Sequence, residues 1–113
     1  MVAVLHNIRS VYNVGSIFRT ADAAGIKKIY LCGITPSPVD KYGRARQDFV
    51  KVSLGAEKYV EWDASASSAQ AVIKLLEELR DKKYKILAVE QNKKSIPYYK
   101  LPKSYILNYK SCL

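Results

Sequence analysis

Cysteine is scarce in this sequence, and long apolar runs are absent. The 113 residues include two cysteines, Cys32 and Cys112, which form no CxxC pair and have no histidine at a zinc-binding spacing. Two cysteines are too few for a disulfide framework, so the sequence indicates a reducing, cytoplasmic compartment and no metal site. No apolar run approaches the roughly 18–20 residues that cross a bilayer, and the segment after Met1 lacks the regions of a signal peptide. The sequence therefore predicts a soluble protein with no membrane partner.

Acidic residues are missing from both ends of the chain. None precedes Asp22 and none follows Glu90, and nineteen Lys and Arg against ten Asp and Glu give a net charge of +9. An excess of this size attracts polyanions, of which nucleic acid is the commonest inside a cell. The charge therefore predicts contact with nucleic acid, although a lysine-rich surface without such a partner would look the same.

Short apolar runs alternate with helical patterns along most of the chain. The length suits one domain, residues 1–113, of the usual size of roughly 100–150 residues. A strand, helix, strand order with short connections predicts parallel pairing. We therefore expect an α/β fold with a mostly parallel sheet and helices on both faces. The predicted strands are Val2–His6, 29–32, 59–62 and 86–89, and the predicted helices run from Asn13 to Gly25, over 47–54 and over 67–83.

The tail after Gln91 differs from the rest. Residues 105–107 are apolar enough to open a fifth strand, but no helical pattern follows them. A sheet left bare on one face is not expected to be stable alone. We expect either an oligomer partner on that face or a chain that is shortened relative to its relatives.

The segment 7–25 (NIRSVYNVGSIFRTADAAG) carries the strongest functional signal. It is a loop that turns into a helix, with Asn13 at the predicted N-cap and Arg19 on the flank of the apolar stripe. A helix start with free amides and a nearby guanidinium binds anions, so Asn13 and Arg19 are expected to converge on a phosphate or an oxyanion. A capped helix with a solvated arginine remains an alternative. The segment is neither a GxGxxG nor a Walker loop, because the required glycines are absent.

This segment resembles the first signature motif of the SpoU (TrmH-like) branch of the SPOUT methyltransferases, which methylate ribose 2′-oxygens in tRNA and rRNA. The resemblance continues past the motif and covers about the first hundred residues. It rests on Asn7, Arg9, Asn13, Gly15, Ile17, Arg19, Thr20, Ala21, Asp22, Ala23, Gly25, Thr35, Pro36, 53–57 (SLGAE), Glu90, Gln91, Ser95 and Ile96.

The resemblance implies a trefoil-knot α/β fold, S-adenosylmethionine as cofactor, tRNA or rRNA as substrate, and a homodimer. In the family the arginine that matches Arg19 is catalytic, and the asparagine that matches Asn13 shapes the same site. Because a guanidinium normally stays protonated, it is a poor general base. Our hypothesis is that Arg19 holds the adjacent phosphate and stabilises the forming 2′-alkoxide, while that phosphate assists proton removal.

Two further groups of residues are weaker candidates. Arg9, Arg44, Arg46 and Lys51 are predicted to contact RNA phosphates, with ordinary surface charge as the alternative. Val89, Glu90 and Gln91 end the fourth predicted strand, where α/β folds place ligands. In the resembled family this strand end borders the cofactor pocket, so these three are the cofactor-binding candidates.

The sequence departs from the family after residue 107. The second motif, a strand followed by Gly-Asn-Glu, is missing, and so is the third, an Ile-Pro loop with Ser-Leu-Asn. These motifs form the knot and most of the cofactor pocket, so we expect a truncated or frameshifted chain that binds the cofactor weakly or not at all. Two other functions stay open: a cofactor-less basic RNA-binding or dimerisation module, and an unrelated phosphate-binding α/β protein.

Overall fold

The chain alternates strands and helices around one sheet. The computed structural model describes residues 1–89, 93–94, 97, 100 and 110–112. The strands are β1 (Val2–His6), β2 (Lys28–Cys32), β3 (Glu61–Asp63), β4 (Tyr84–Ile86) and β5 (Lys110–Cys112). The helices are α1 (Val11–Ala24), α2 (Gln47–Ser53) and α3 (Ala69–Asp81), and a short 3-10 turn covers Ala56–Lys58.

All strand pairs in the sheet are parallel. The strand order is β3-β2-β1-β5-β4, and β1 pairs with β2 along its whole length, from Val2 opposite Lys28 to His6 opposite Cys32. The predicted α/β class with a parallel sheet is therefore confirmed. Since parallel strands point the same way, the loops that follow β1, β2 and β3 all leave from one edge of the sheet, here called the carboxyl edge.

Helices cover both faces of the sheet, as predicted. Alternate residues of a strand point to opposite faces. Ala3, Leu5, Ile29 and Leu31 pack with the buried residues of α1 and α2, including Val14, Phe18 and Phe49. On the other face, Val2 packs with Leu79 of α3, and Cys32 packs near Val72 of the same helix.

A glycine allows α1 and α2 to approach closely. Gly15 is buried, and a β-carbon there would lie 3.2 Å from both the Phe49 carbonyl oxygen and the Val52 Cβ. The Phe18 and Phe49 rings meet edge to face, with centroids 5.1 Å apart and planes at 79°. The same two helices therefore share both a close backbone contact and an aromatic pair, which fixes α2 against α1.

The observed bounds of two strands differ from the predicted bounds. The third strand is Glu61–Asp63 and not 59–62, because residues 56–60 form a turn in which Tyr59 and Val60 donate backbone hydrogen bonds to Ala56. The fourth is Tyr84–Ile86 and not 86–89, because those three residues pair with β5. The predicted strand at 105–107 lies outside the described residues.

Helix ends agree more closely with the sequence. Gly25 ends α1 in the left-handed conformation, as predicted, and Ser68 caps α3 by accepting a hydrogen bond from the Ala71 amide. Among the described residues no helix has the length and apolar character needed to span a bilayer.

Candidate functional site

The helix that carries the family-like motif begins three residues earlier than predicted. Ser10, not Asn13, is the N-cap of α1, and its hydroxyl accepts a hydrogen bond from the Asn13 amide at 3.2 Å. The Asn13 side chain is exposed in the first turn of the helix. The prediction of Asn13 as the N-cap is wrong, because Ser10 already has the extended backbone that a capping residue needs.

Arg19 lies on the exposed flank of α1 that borders α2. It follows Gly15 by one helical turn, and Gly15 contacts α2 directly. The guanidinium is exposed, and within the described part of the chain it has neither an ion pair nor a hydrogen bond. An arginine that stabilises no neighbour is available to an external anion.

Asn13 and Arg19 do not lie side by side. Six residues along an α-helix amount to roughly 9 Å of rise and 120° of rotation, so the two side chains leave α1 in different directions. The start of α1 at Val11 is farther still, about 12 Å from Arg19 along the axis. The first-turn amides and Arg19 are therefore separated along α1, and their convergence on one anion stays a prediction.

Two polar residues of the resembled pattern tie β1 to β2 at the carboxyl edge. The Asn7 side-chain oxygen accepts a hydrogen bond from the Ile34 amide at 3.1 Å. The buried Thr35 hydroxyl donates to the carbonyl oxygens of Cys32 at 2.8 Å and Leu5 at 3.0 Å. The same hydroxyl accepts a hydrogen bond from the Ile8 amide. These residues hold the loops that lead to α1 and to the next segment. Both residues belong to the resembled pattern, and their place directly after neighbouring parallel strands is the sequence signal for this linking role.

The loop between β2 and α2 folds into a small hairpin that presents Arg44. Val39 and Ala45 form an isolated antiparallel bridge. Arg44 is exposed at the tip, whereas Arg46 is half-buried at the base, where its Nε donates to the Val39 carbonyl at 3.3 Å. The two arginines that are predicted to contact RNA thus lie in one loop. Arg46 also stabilises that loop through its hydrogen bond to Val39.

The other two predicted RNA contacts are single exposed cations. Arg9 lies between β1 and α1 at the carboxyl edge, and Lys51 lies in the last turn of α2.

After α2, Leu54 and Gly55 both adopt left-handed backbone, and the buried Ser53 hydroxyl donates to the Glu57 carboxylate. The SLGAE stretch of the resemblance therefore forms the turn that ends α2.

Of the three candidate cofactor-binding residues, the structure describes only Val89. Its side chain is 85% exposed. Glu90 and Gln91 lie outside the described residues. Cofactor binding at this strand end stays a prediction.

A groove of about 310 Å³ lies elsewhere, between the sheet and α3. Lys28, Tyr30, Asp63, Lys74 and Glu78 are among its walls. Hydrogen bonds from the side chain and backbone of Ser65 lower the pKa of Asp63. The described residues contain no cluster of three metal-ligating side chains. The groove therefore carries charges of both signs.

Comparison with known proteins identifies the family. No individual curated protein matches the chain. The model of the SpoU rRNA Methylase family matches residues 1–108, which is nearly the whole sequence and includes α1 with Asn13 and Arg19. The chain therefore belongs to the SpoU rRNA methylase family, a family of RNA methyltransferases.

Proposed function

We propose that this protein methylates a ribose 2′-hydroxyl in tRNA or rRNA, as a cytoplasmic homodimer that uses S-adenosylmethionine. The observation that carries the proposal is Arg19, which is exposed and unpaired within the described residues and which, by the resemblance of the first motif, matches the family's catalytic arginine. Surface arginines on helices often pair with a carboxylate three or four residues away. Asp22 stands at that spacing, and the guanidinium is nevertheless left for the substrate.

In this proposal Arg19 positions the RNA and stabilises negative charge on it, and it does not act as a general base. A planar guanidinium binds a phosphate through two parallel hydrogen bonds. Held beside the target ribose, the same group stabilises the negative charge that develops on the 2′-oxygen as its proton leaves. Because Asn13 leaves α1 in another direction, it contacts a different group of the RNA. Arg9, Arg44, Arg46 and Lys51 supply further phosphate contacts, which position the substrate without reading its sequence.

A second candidate function is a basic RNA-binding or dimerisation module without a cofactor. The 85% exposure of Val89, at the strand end predicted to border the cofactor, favours it. Both candidates expect RNA binding, and they differ in binding of S-adenosylmethionine and in methyl transfer. The module would bind RNA and transfer nothing.

The test is transfer of a radiolabelled methyl group from S-adenosylmethionine to tRNA and rRNA transcripts by the 113-residue protein. A 2′-O-methyl group blocks alkaline cleavage of the neighbouring phosphodiester, so the label should appear in alkali-resistant dinucleotides. The variant R19K should bind RNA within a few-fold of wild type and lose about 100-fold in turnover, since the planar fork is gone while the charge remains. The matched control is R80K, which changes an exposed arginine on α3.

Three results would count against the proposal. Full turnover by R19K would remove Arg19 from the reaction. RNA binding with no S-adenosylmethionine binding by calorimetry and no methyl transfer would establish the module instead. Absence of RNA binding by the wild-type protein would exclude both candidates.

A further inference from the structure

The hairpin tip between β2 and α2 has a backbone that is fixed before any ligand binds. One Asp40 carboxylate oxygen accepts hydrogen bonds from the amides of Tyr42 at 2.8 Å and Arg44 at 3.0 Å. The Asp40 amide donates to the Arg44 carbonyl at 2.8 Å, and the Gly43 amide donates to the Asp40 carbonyl at 3.0 Å. Gly43 takes the left-handed backbone, with φ of 78°, that this tight turn requires. A ligand that binds the tip therefore costs little ordering of the main chain.

Tyr42 stands at this tip with most of its ring in solvent. Its side chain is 67% exposed and belongs to none of the apolar clusters of the described core. Lys41 Nζ lies 5.0 Å and Arg44 Cζ 5.1 Å from the ring centroid. The ring and two cations thus form one exposed unit, here called the Tyr42 tip (Lys41, Tyr42 and Arg44).

The Tyr42 tip projects from the edge of the sheet where α1 begins. The hairpin belongs to the loop after β2, and Arg9 belongs to the loop after β1; both strands end at the carboxyl edge. The hydrogen bonds of Asn7 and Thr35 join the starts of these two loops. An RNA bound along this edge would meet both the first-motif segment and the tip.

We propose that an unpaired base of the RNA substrate stacks on Tyr42, taking the place that Lys41 and Arg44 occupy over the ring, while these two side chains hold the flanking phosphates. This inference rests on the proposed function and narrows the substrate to RNA with an exposed single-stranded base. An aromatic ring between cations matches the alternation of flat bases and charged phosphates in a single strand. Bases inside a duplex offer no free face, so a duplex gains only the contacts of Lys41 and Arg44.

The experiment measures RNA affinity by fluorescence anisotropy with the full chain. The probes are an unstructured labelled RNA of about twelve nucleotides and the same strand annealed to its complement. Y42A should weaken single-strand binding about tenfold and leave duplex binding within twofold, because stacking on an aromatic residue is lost. Y42F and Y42W should keep wild-type affinity. The matched control Y59A removes a tyrosine that is 80% exposed outside the loop and should change nothing.

Salt dependence separates stacking from charge. Y42A should leave the slope of log affinity against log salt unchanged, whereas R44A should reduce its magnitude by about one, as expected for one lost phosphate contact. The turn is made by Asp40 and the main chain, so Y42A should also keep the wild-type circular dichroism spectrum. An altered circular dichroism spectrum of Y42A would contradict the fixed turn. Stacking would then be tested in folded proteins by comparing the single-strand affinities of Y42F and Y42W.

The outcomes distinguish this inference from the proposed function. If wild type binds and methylates RNA but Y42A binds single strands normally, the stacking role is wrong and the methylation proposal stands. An equal loss on single strand and duplex also overturns stacking. If Y42W binds single strands less well than Y42F, contact through the ring face is wrong. If wild type binds no RNA, both proposals fail together.

Discussion

The side chain of Asn7 occupies the space that a β-carbon at Gly33 would need. Gly33 has left-handed backbone, with φ of 63°, and the Asn7 side-chain oxygen lies directly over it while accepting from the Ile34 amide at 3.1 Å. Asn7 itself has φ of 56°, a conformation that asparagine tolerates better than most residues. The pair links the carboxyl ends of β1 and β2 and so sets where the motif loop leaves the sheet.

The variant G33A should be destabilised by about 2–4 kcal/mol, because alanine strains the backbone and displaces Asn7 from its hydrogen bond. G25A is the matched control, since Gly25 has a similar φ of 74° and a β-carbon there would contact nothing within 4 Å. Urea unfolding of both variants should show the larger loss for G33A. In an N7A background the cost of G33A should fall by about 1 kcal/mol. Equal costs of G33A and G25A would mean that the Asn7 contact is unimportant.

The close contact at Gly15 predicts a steep dependence on side-chain size. G15V should cost about 2–3 kcal/mol of unfolding free energy, because its methyl groups meet the Phe49 carbonyl and Val52. G15A should be nearly neutral, since the gain in helix propensity of about 1 kcal/mol offsets the tight contact. The control A23V changes an exposed position of α1 and should lose only the difference in propensity, about 0.6 kcal/mol. If thermal unfolding shows equal losses of stability for G15V and A23V, the close contact between Gly15 and α2 is contradicted.

Periodicity and capping residues predicted most of the fold. Val2–His6 was correct in both bounds, and the stripe of Val14, Phe18 and Ala21 is buried as expected, because apolar spacing directly reflects burial. Gly25 ended its helix as predicted, because a left-handed backbone residue is strongly favoured there. Local signals of this kind act within a few residues.

The predictions were wrong where strand pairing, or a choice between two neighbouring capping residues, determines the bounds of an element. The fourth strand is Tyr84–Ile86 because those residues pair with β5, where Tyr84 lies opposite Lys110, and no local pattern shows a partner so distant in the sequence. Ser10 and Asn13 are both capping residues three positions apart, and the choice of Ser10 moved the helix start away from Arg19. The exposure of Arg19 followed from its place off the apolar stripe, whereas its lack of an ion pair with Asp22 required side-chain geometry.

Cys32 gives the chain an alkaline limit to its stability. The residue is fully buried at the end of β2, on the face that packs against α3. Burial raises the pKa of its thiol above the ordinary value of 9.0, and the Asp63 carboxylate adds to the effect. The folded protein therefore keeps the thiol proton at a pH where the unfolded chain loses it. The corresponding stability is complete below about pH 9 and is lost as the pH rises toward the folded pKa.

The variant C32A should show this contribution by difference. Wild type should be the more stable protein at pH 8, because alanine leaves a small cavity, and its advantage should shrink between pH 9 and 10.5 by at most about 1.4 kcal/mol per pH unit. Urea unfolding of both proteins across this range gives the measurement. The lysines and tyrosines are common to both proteins, so their titration cancels in the difference. A constant difference across the range would show that the Cys32 thiol ionises equally in both states, and burial would then not control its proton.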